Sequence, residues 1–138
     1  MEQLMEMPRT ALLSRTVSTR TTPVHSFPAG PASRWFPVCK LGDLEDSWGE
    51  AALINGQQVA LFRVGEHEVF AVSQADPATH SHVMARGVVG SRGDSYTIAS
   101  PLHKEVYSLA TGECFGRPEL SLDTFPVRVV AGAIEVEL

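Results

Sequence analysis

Asp76-Pro77-Ala78, then Ser100-Pro101-Leu102-His103-Lys104, then Thr111-Gly112-Glu113-Cys114: the fold is read from these three stretches outward. In the first two, a proline follows a short polar side chain. Proline holds φ at about −65°, and an Asp or Ser oxygen in front of it can accept hydrogen bonds from backbone amides of the same turn. Each stretch therefore predicts a tight, side-chain-stabilised loop. Thr111-Gly112 predicts another turn. Flanking the second loop are two runs with strand character, Tyr96-Thr97-Ile98-Ala99 and Glu105-Val106-Tyr107-Ser108-Leu109.

The same alternation of short β-rich runs and turn residues extends in both directions, and it predicts an all-β sandwich or barrel. Trp35-Phe36-Pro37-Val38-Cys39 opens it, with Pro37 implying an edge or a strand end. Leu41-Gly42-Asp43-Leu44 is a turn and Glu45 to Gly49 a polar connection. Glu50–Ile54 and Gln58–Val64 flank Asn55-Gly56, a strong hairpin dipeptide. Gly65-Glu66-His67 turns the chain into Glu68–Val72. Val127–Val130 and Ala133–Val136, joined by Ala131-Gly132, close the pattern. Ser73 to Ser95 looks like one long loop, containing Asp76-Pro77, His80, His82, Gly87, Gly90 and Gly93. Long ordered excursions of this kind are more often functional than decorative.

Residues 1–33 differ from the rest. From Pro8 to Ser33 the chain is rich in Ser, Thr and Pro, has Phe27 as its one aromatic, and shows no sustained period. Such a stretch buries too little apolar surface to offset its chain entropy. A disordered tail is expected over 1–33, with a weak helix around Thr10–Arg15 as the one local signal, and a single domain over 34–138. Met5 and Met7 are alternative starts.

The 138 residues carry a net charge of −5 and are 43% hydrophobic, an ordinary soluble composition. The tail has three Arg and two Glu, whereas residues 34–138 have eight Lys or Arg against fourteen Asp or Glu. An acidic domain without a basic stripe argues against nucleic acid. No apolar run approaches the roughly 20 residues of a membrane span. Glu2 and Glu6 precede the short Ala11-Leu12-Leu13 patch, unlike a secretory signal, so a cytoplasmic location is expected.

The residues offer little for catalysis. Cys39 and Cys114 stand far apart, outside any CxxC pair, and read as small buried hydrophobes. His80, His82 and His103, with Asp76, could supply the four donors of a metal site. The alternative is polar loop histidines, with His103 packed against the neighbouring loop. Ser100 and His103 lack the strained strand-to-helix elbow that accompanies a Ser nucleophile. No phosphate-binding glycine loop is present.

The two Pro-containing boxes resemble the layout of a Rieske-type [2Fe–2S] domain, in which Cys-x-His and Cys-x-x-His boxes supply two thiolates to one iron and two imidazoles to the other. Here Asp76 stands at the first Cys position, Ala78 at the first His, and Ser100 at the second Cys; only His103 keeps a ligand's identity. More closely, the chain from about Trp35 to Val136 resembles the small subunit of assimilatory NAD(P)H-dependent nitrite reductase. The resemblance rests on Arg86-Gly87-Val88-Val89-Gly90 and Ala99-Ser100-Pro101-Leu102-His103-Lys104 above all. It is supported by Trp35–Cys39, Gly56 to Arg63, Val69–Val72, Thr111–Cys114 and Phe125–Val129.

What the resemblance implies is a Rieske-like antiparallel β domain that binds no cofactor itself. Its partner would be the nitrite reductase large subunit, which would carry FAD, an iron–sulfur cluster and sirohaem and reduce nitrite to ammonium. The tip built from the two boxes would face that partner. Asp76 and Ser100 would shape the loops, and Arg86, His103 and Lys104 would make the contacts. The alternative is a Rieske-type [2Fe–2S] ferredoxin that carries electrons to an oxygenase, which the ligand identities oppose.

Overall fold

The structure, a computed structural model, describes residues 33–138. The expected tail, except Ser33, and the helix around Thr10–Arg15 lie outside the described residues.

Eleven strands follow one another: β1 (Trp35–Lys40), β2 (Gly49–Ile54), β3 (Gln57–Val64), β4 (Glu68–Ser73), β5 (Val88–Arg92), β6 (Ser95–Ala99), β7 (Val106–Ser108), β8 (Cys114–Phe115), β9 (Thr124–Phe125), β10 (Val127–Val130) and β11 (Ala133–Glu137). Short 3₁₀ turns cover Leu41–Asp43 and Met84–Arg86. Every strand expected from the sequence forms, its ends displaced by at most one residue. The Asn55-Gly56 turn has positive φ at both residues, 51° and 81°. That is what a two-residue hairpin requires if its twist is to match the strands it joins. Pro37 lies on the edge strand of its sheet, opposite Glu135, where the register with β11 shifts. There the missing N–H disrupts no regular ladder.

The strands form three antiparallel sheets, ordered β9-β4-β3-β2, β10-β11-β1 and β5-β6-β7-β8. The first lies between the other two and is covered on both faces. This explains why Val59-Ala60-Leu61-Phe62 in β3 is buried without interruption. Side chains alternate across a strand, so Val59 and Leu61 join one core with Ala71, Ile134 and Val136. Ala60 and Phe62 join the other with Val72, Met84, Ile98, Tyr107, Leu109 and Leu122. Each fully buried Leu, Ile or Phe contributes about 1.5–3 kcal/mol, so β3 serves both cores.

The segment from Ser73 to Ser95 is not one long loop. Val88–Arg92 forms β5 and pairs with β6 from Val88 opposite Ala99 to Arg92 opposite Ser95. This strand escaped the reading of the sequence because it is an edge strand with Val88, Gly90, Ser91 and Arg92 all exposed. With no face fully buried, it has no hydrophobic period to betray it.

Candidate functional site

Three loops of the domain have the same construction. In the first, Asp76 N donates to Ser81 O at 2.8 Å and His80 N donates to Asp76 O at 2.6 Å. In the second, Ser100 N donates to Glu105 O at 2.9 Å and Lys104 N to Ser100 O at 3.0 Å. In the third, Ser108 N donates to Glu113 O at 2.9 Å and Gly112 N to Ser108 O at 2.8 Å. The leading side chain then satisfies amides inside its own loop. Asp76 Oδ1 accepts from Ala78 N at 2.7 Å and from Thr79 N at 3.2 Å. Ser100 Oγ accepts from Leu102 N at 3.2 Å, and Ser108 Oγ from Ala110 N and Thr111 N, both at 3.2 Å. The first two are the capped turns that Asp-Pro and Ser-Pro predict, and the third has Leu109 where they have proline. The fifth residue of each loop has a positive φ: His80 at 68°, Lys104 at 64° and Gly112 at 81°.

The first two loops lie side by side, because the Ser100 hydroxyl donates directly to Asp76 Oδ2. Asp76 is fully buried and Ser100 nearly so. Every oxygen of the pair is used: one Asp76 oxygen holds its own loop and the other holds its neighbour's. The bond spans 24 residues of sequence and is the one side-chain hydrogen bond between the two boxes among the described residues. Beneath them Tyr107 is fully buried, and its hydroxyl has no hydrogen-bond partner among the described residues. Burial pushes its phenol well above the usual range, with Cys114, Asp76 and Glu105 adding to the effect. Cys114 is buried and free, and burial pushes its thiol up. A thiol so placed is an inert packing group. Cys39 is half-buried rather than buried, and its thiol is raised by burial and then by Asp43 and Glu50.

The residues singled out from the sequence divide into two sets. Asp76 and Ser100 are the buried fasteners of the loops. Arg86, at the end of the Met84–Arg86 turn, and His103 and Lys104 on the second loop are exposed. His103, expected against the neighbouring loop, is exposed on the Ser100–Lys104 turn. His80 and His82 are exposed as well. Among the described residues no three His, Cys, Asp or Glu side chains come together as a metal-binding group. The imidazoles face solvent, while the carboxylate that was to join them points inward to Ser100.

Two features were missed. The Ser108 loop repeats the construction of the first two, a likeness that polar residues four positions before His80, Lys104 and Gly112 could have signalled. The positive φ of Lys104 had no such signal, because lysine does not favour that region, whereas histidine enters it more readily than most side chains.

The model of the Rieske-like [2Fe-2S] domain family matches residues 34–137. The NADH-dependent nitrite reductase small subunit of Escherichia coli (strain K12) is 33% identical over 105 residues, covering 75% of this chain and 97% of that protein. The chain belongs to the nitrite reductase small-subunit family. A crystal structure from Mycobacterium tuberculosis, described as an NADH-dependent nitrite reductase small subunit, has a TM-score of 0.74 at 35% identity, covering 78% of this chain and 97% of that one. A nitrite reductase [NAD(P)H] large subunit from Klebsiella oxytoca is 31% identical over 109 residues, 79% of this chain but 11% of that polypeptide.

The family description raises a [2Fe–2S] cluster, and the residues of this small-subunit chain do not fit one. The cluster needs two thiolates and two imidazoles. The two thiolate positions hold Asp76 and Ser100, already bonded to each other, the first imidazole position holds Ala78, and His103 faces solvent. Anaerobic reconstitution with iron and sulfide should leave the full-length protein without the visible absorption of a Rieske centre. Incorporation of about two irons per chain would overturn this reading of the loops.

Proposed function

We propose that this chain is the small, non-catalytic subunit of an NAD(P)H-dependent nitrite reductase, acting in the cytoplasm as a docking partner of the large subunit. In this reading FAD, an iron–sulfur cluster and sirohaem reside in that large subunit, and nitrite is reduced to ammonium there. The observation that carries it is the double match. The chain aligns with nearly the whole of a free-standing small subunit and also with about a tenth of a large-subunit polypeptide. A domain found both beside and within the same enzyme acts in contact with it.

The Asp76–Ser100 end of the domain is the surface we assign to this contact. Two hydrogen-bonded loops form a rigid platform, and a platform that is already ordered loses little entropy on docking. Arg86, His103 and Lys104 stand exposed around it. The test is co-expression of both subunits and co-purification, followed by Arg86→Glu and Lys104→Glu. Each reversal should weaken association about tenfold at an unchanged melting temperature. Wild-type association with undiminished binding of both variants would move the interface elsewhere. No association of the wild-type chain with the large subunit would remove the proposed function.

A further inference from the structure

A cleft of about 630 Å³ opens where the three sheets meet. It lies at the end of the domain away from the Asp76–Ser100 pair. β4 begins there at Glu68 and runs toward Asp76, and β6 begins there at Ser95 and ends at Ala99, beside Ser100. Phe70 and Tyr96 line it edge to face, with ring centroids 6.1 Å apart and 65° between their planes. Phe125 adds a third ring, and none of the three is buried. Glu68 and Asp94 line the same cleft and are exposed. Among the described residues neither carboxylate has an ion-pair partner.

The cations of the domain are placed elsewhere. Residues 34–138 have eight Lys or Arg, and none of them lines the cleft. Arg34 stacks on Phe36, Arg92 on Phe115 and Arg128 on Trp35. Arg63 donates to the carbonyls of Leu44 and Gly65, and Arg117 pairs with Glu105 and Glu119. Lys40 ends β1 at the opposite end from Trp35. Arg86 and Lys104 belong to the Ser100 end, where Val88 faces Ala99. Aromatic faces and unpaired carboxylates in one cleft suit a cation carried on a partly apolar segment.

The chain itself has such a segment. From Pro8 to Ser33 there are three Arg and no carboxylate. This segment joins the domain beside the cleft. The Ser33 hydroxyl donates to Glu137, Trp35 lies opposite Glu137, and Glu137 N donates to Pro126 O at 2.9 Å. Pro126 lines the cleft, so the start of β1 is two strand spacings, about 10 Å, from its wall. Arg34 is held on Phe36, and the next arginine upstream is Arg20, thirteen positions before Ser33. An extended segment of that length reaches about 40 Å, enough to cross a domain whose radius of gyration is about 13 Å.

We propose that residues 20–33 fold back onto this cleft, with Arg20 seated on the rings of Phe70 and Tyr96 between Glu68 and Asp94. A segment too polar to build a core of its own can be held by walls that another part of the chain supplies. The contact is independent of the proposed function, because it uses the end of the domain opposite the surface assigned to the large subunit.

Trypsin digestion of the full-length chain tests this with an internal control, since Arg9, Arg15 and Arg20 are each followed by Thr. Timed by mass spectrometry, the bond after Arg20 should be cut about tenfold more slowly than the other two, and the difference should shrink in about 1 M salt. The double variant Glu68→Gln/Asp94→Asn changes two exposed side chains and should melt like wild type, with all three bonds cut at one rate. Equal rates in the wild type would overturn the proposal and leave the cleft to another occupant. So would protection of Arg20 that is insensitive to salt or that survives in the double variant. Protection that disappears on dilution would overturn it too, because the segment in the cleft would then belong to a second copy.

Discussion

Asp76→Ala is expected to be among the most destabilising single substitutions at the surface end of this domain. The carboxylate is fully buried and accepts hydrogen bonds from Ala78 N, Thr79 N and the Ser100 hydroxyl. Truncation removes three acceptor contacts at once. It leaves two amides and a hydroxyl to find partners in a site closed to bulk water. A stranded buried donor costs about 1–3 kcal/mol. Because the loops can open and admit water, the expected loss is about 3 kcal/mol rather than the full sum, a fall in melting temperature of roughly 10–20 °C. Asp76→Asn keeps an acceptor for the two amides and the shape of the side chain, so it should lose less than half as much. Ser100→Ala should fall between them, since it removes the bond between the loops and strands Leu102 N but spares the Asp76 turn. Thermal unfolding of the three variants gives the order directly. An Asp76→Ala protein that melts within 2 °C of wild type would show that the two boxes are not fastened as described.

The second large effect is expected at Gly112. Its φ is +81°, and a Cβ there would lie 1.9 Å from Leu122 O and 3.0 Å from Leu122 C. Leu122 cannot easily retreat, because its own N–H donates to Gly112 O at 2.9 Å and its side chain is buried in the core with Phe62 and Tyr107. Gly112→Ala therefore combines the left-handed backbone penalty, about 1–2 kcal/mol, with a backbone clash of the overpacking kind, typically about 1–3 kcal/mol more. Gly93→Ala is the control. Its φ is +62° but a Cβ there meets nothing within 4 Å, so only the same left-handed penalty of about 1–2 kcal/mol remains. Urea unfolding of the two proteins should separate them by about 2 kcal/mol. Equal losses would mean that Leu122 and the Ser108 loop do not approach as closely as the structure has them.

Much of the fold was legible because it follows from neighbours in sequence. Alternation along Val127–Val130 and Ala133–Val136, with Ala131-Gly132 between them, predicts a hairpin whatever the rest of the chain does. Asn55-Gly56 joins its two strands for the same reason: both residues enter positive φ at low cost. Residue identity alone also decided the chemistry of the boxes. Asp76, Ala78 and Ser100 cannot supply thiolates or imidazoles in any conformation, so the mismatch with a Rieske centre required no coordinates. The capping of the loops by Asp76 and Ser100 was likewise local, an interaction with amides two or three residues ahead.

Where the strands and loops end up relative to one another was decided by tertiary structure. β5 carries no hydrophobic period because its place at a sheet edge leaves most of its side chains in solvent, and only its pairing with β6 makes it a strand. The Asp76–Ser100 bond joins residues that local pattern gives no reason to connect. They meet because the sheet containing β4 packs on the sheet containing β6, around Phe62, Val72 and Ile98. Lysine is a residue type that avoids positive φ, and Lys104, like His80, is held there by the hydrogen bond that closes its loop. That Asp76 and Ser100 are buried while His80, His103 and Lys104 of the same loops are exposed is also a property of the assembled domain. A linear chain shows which charges it has, and the packing of the sheets determines which of them share a surface.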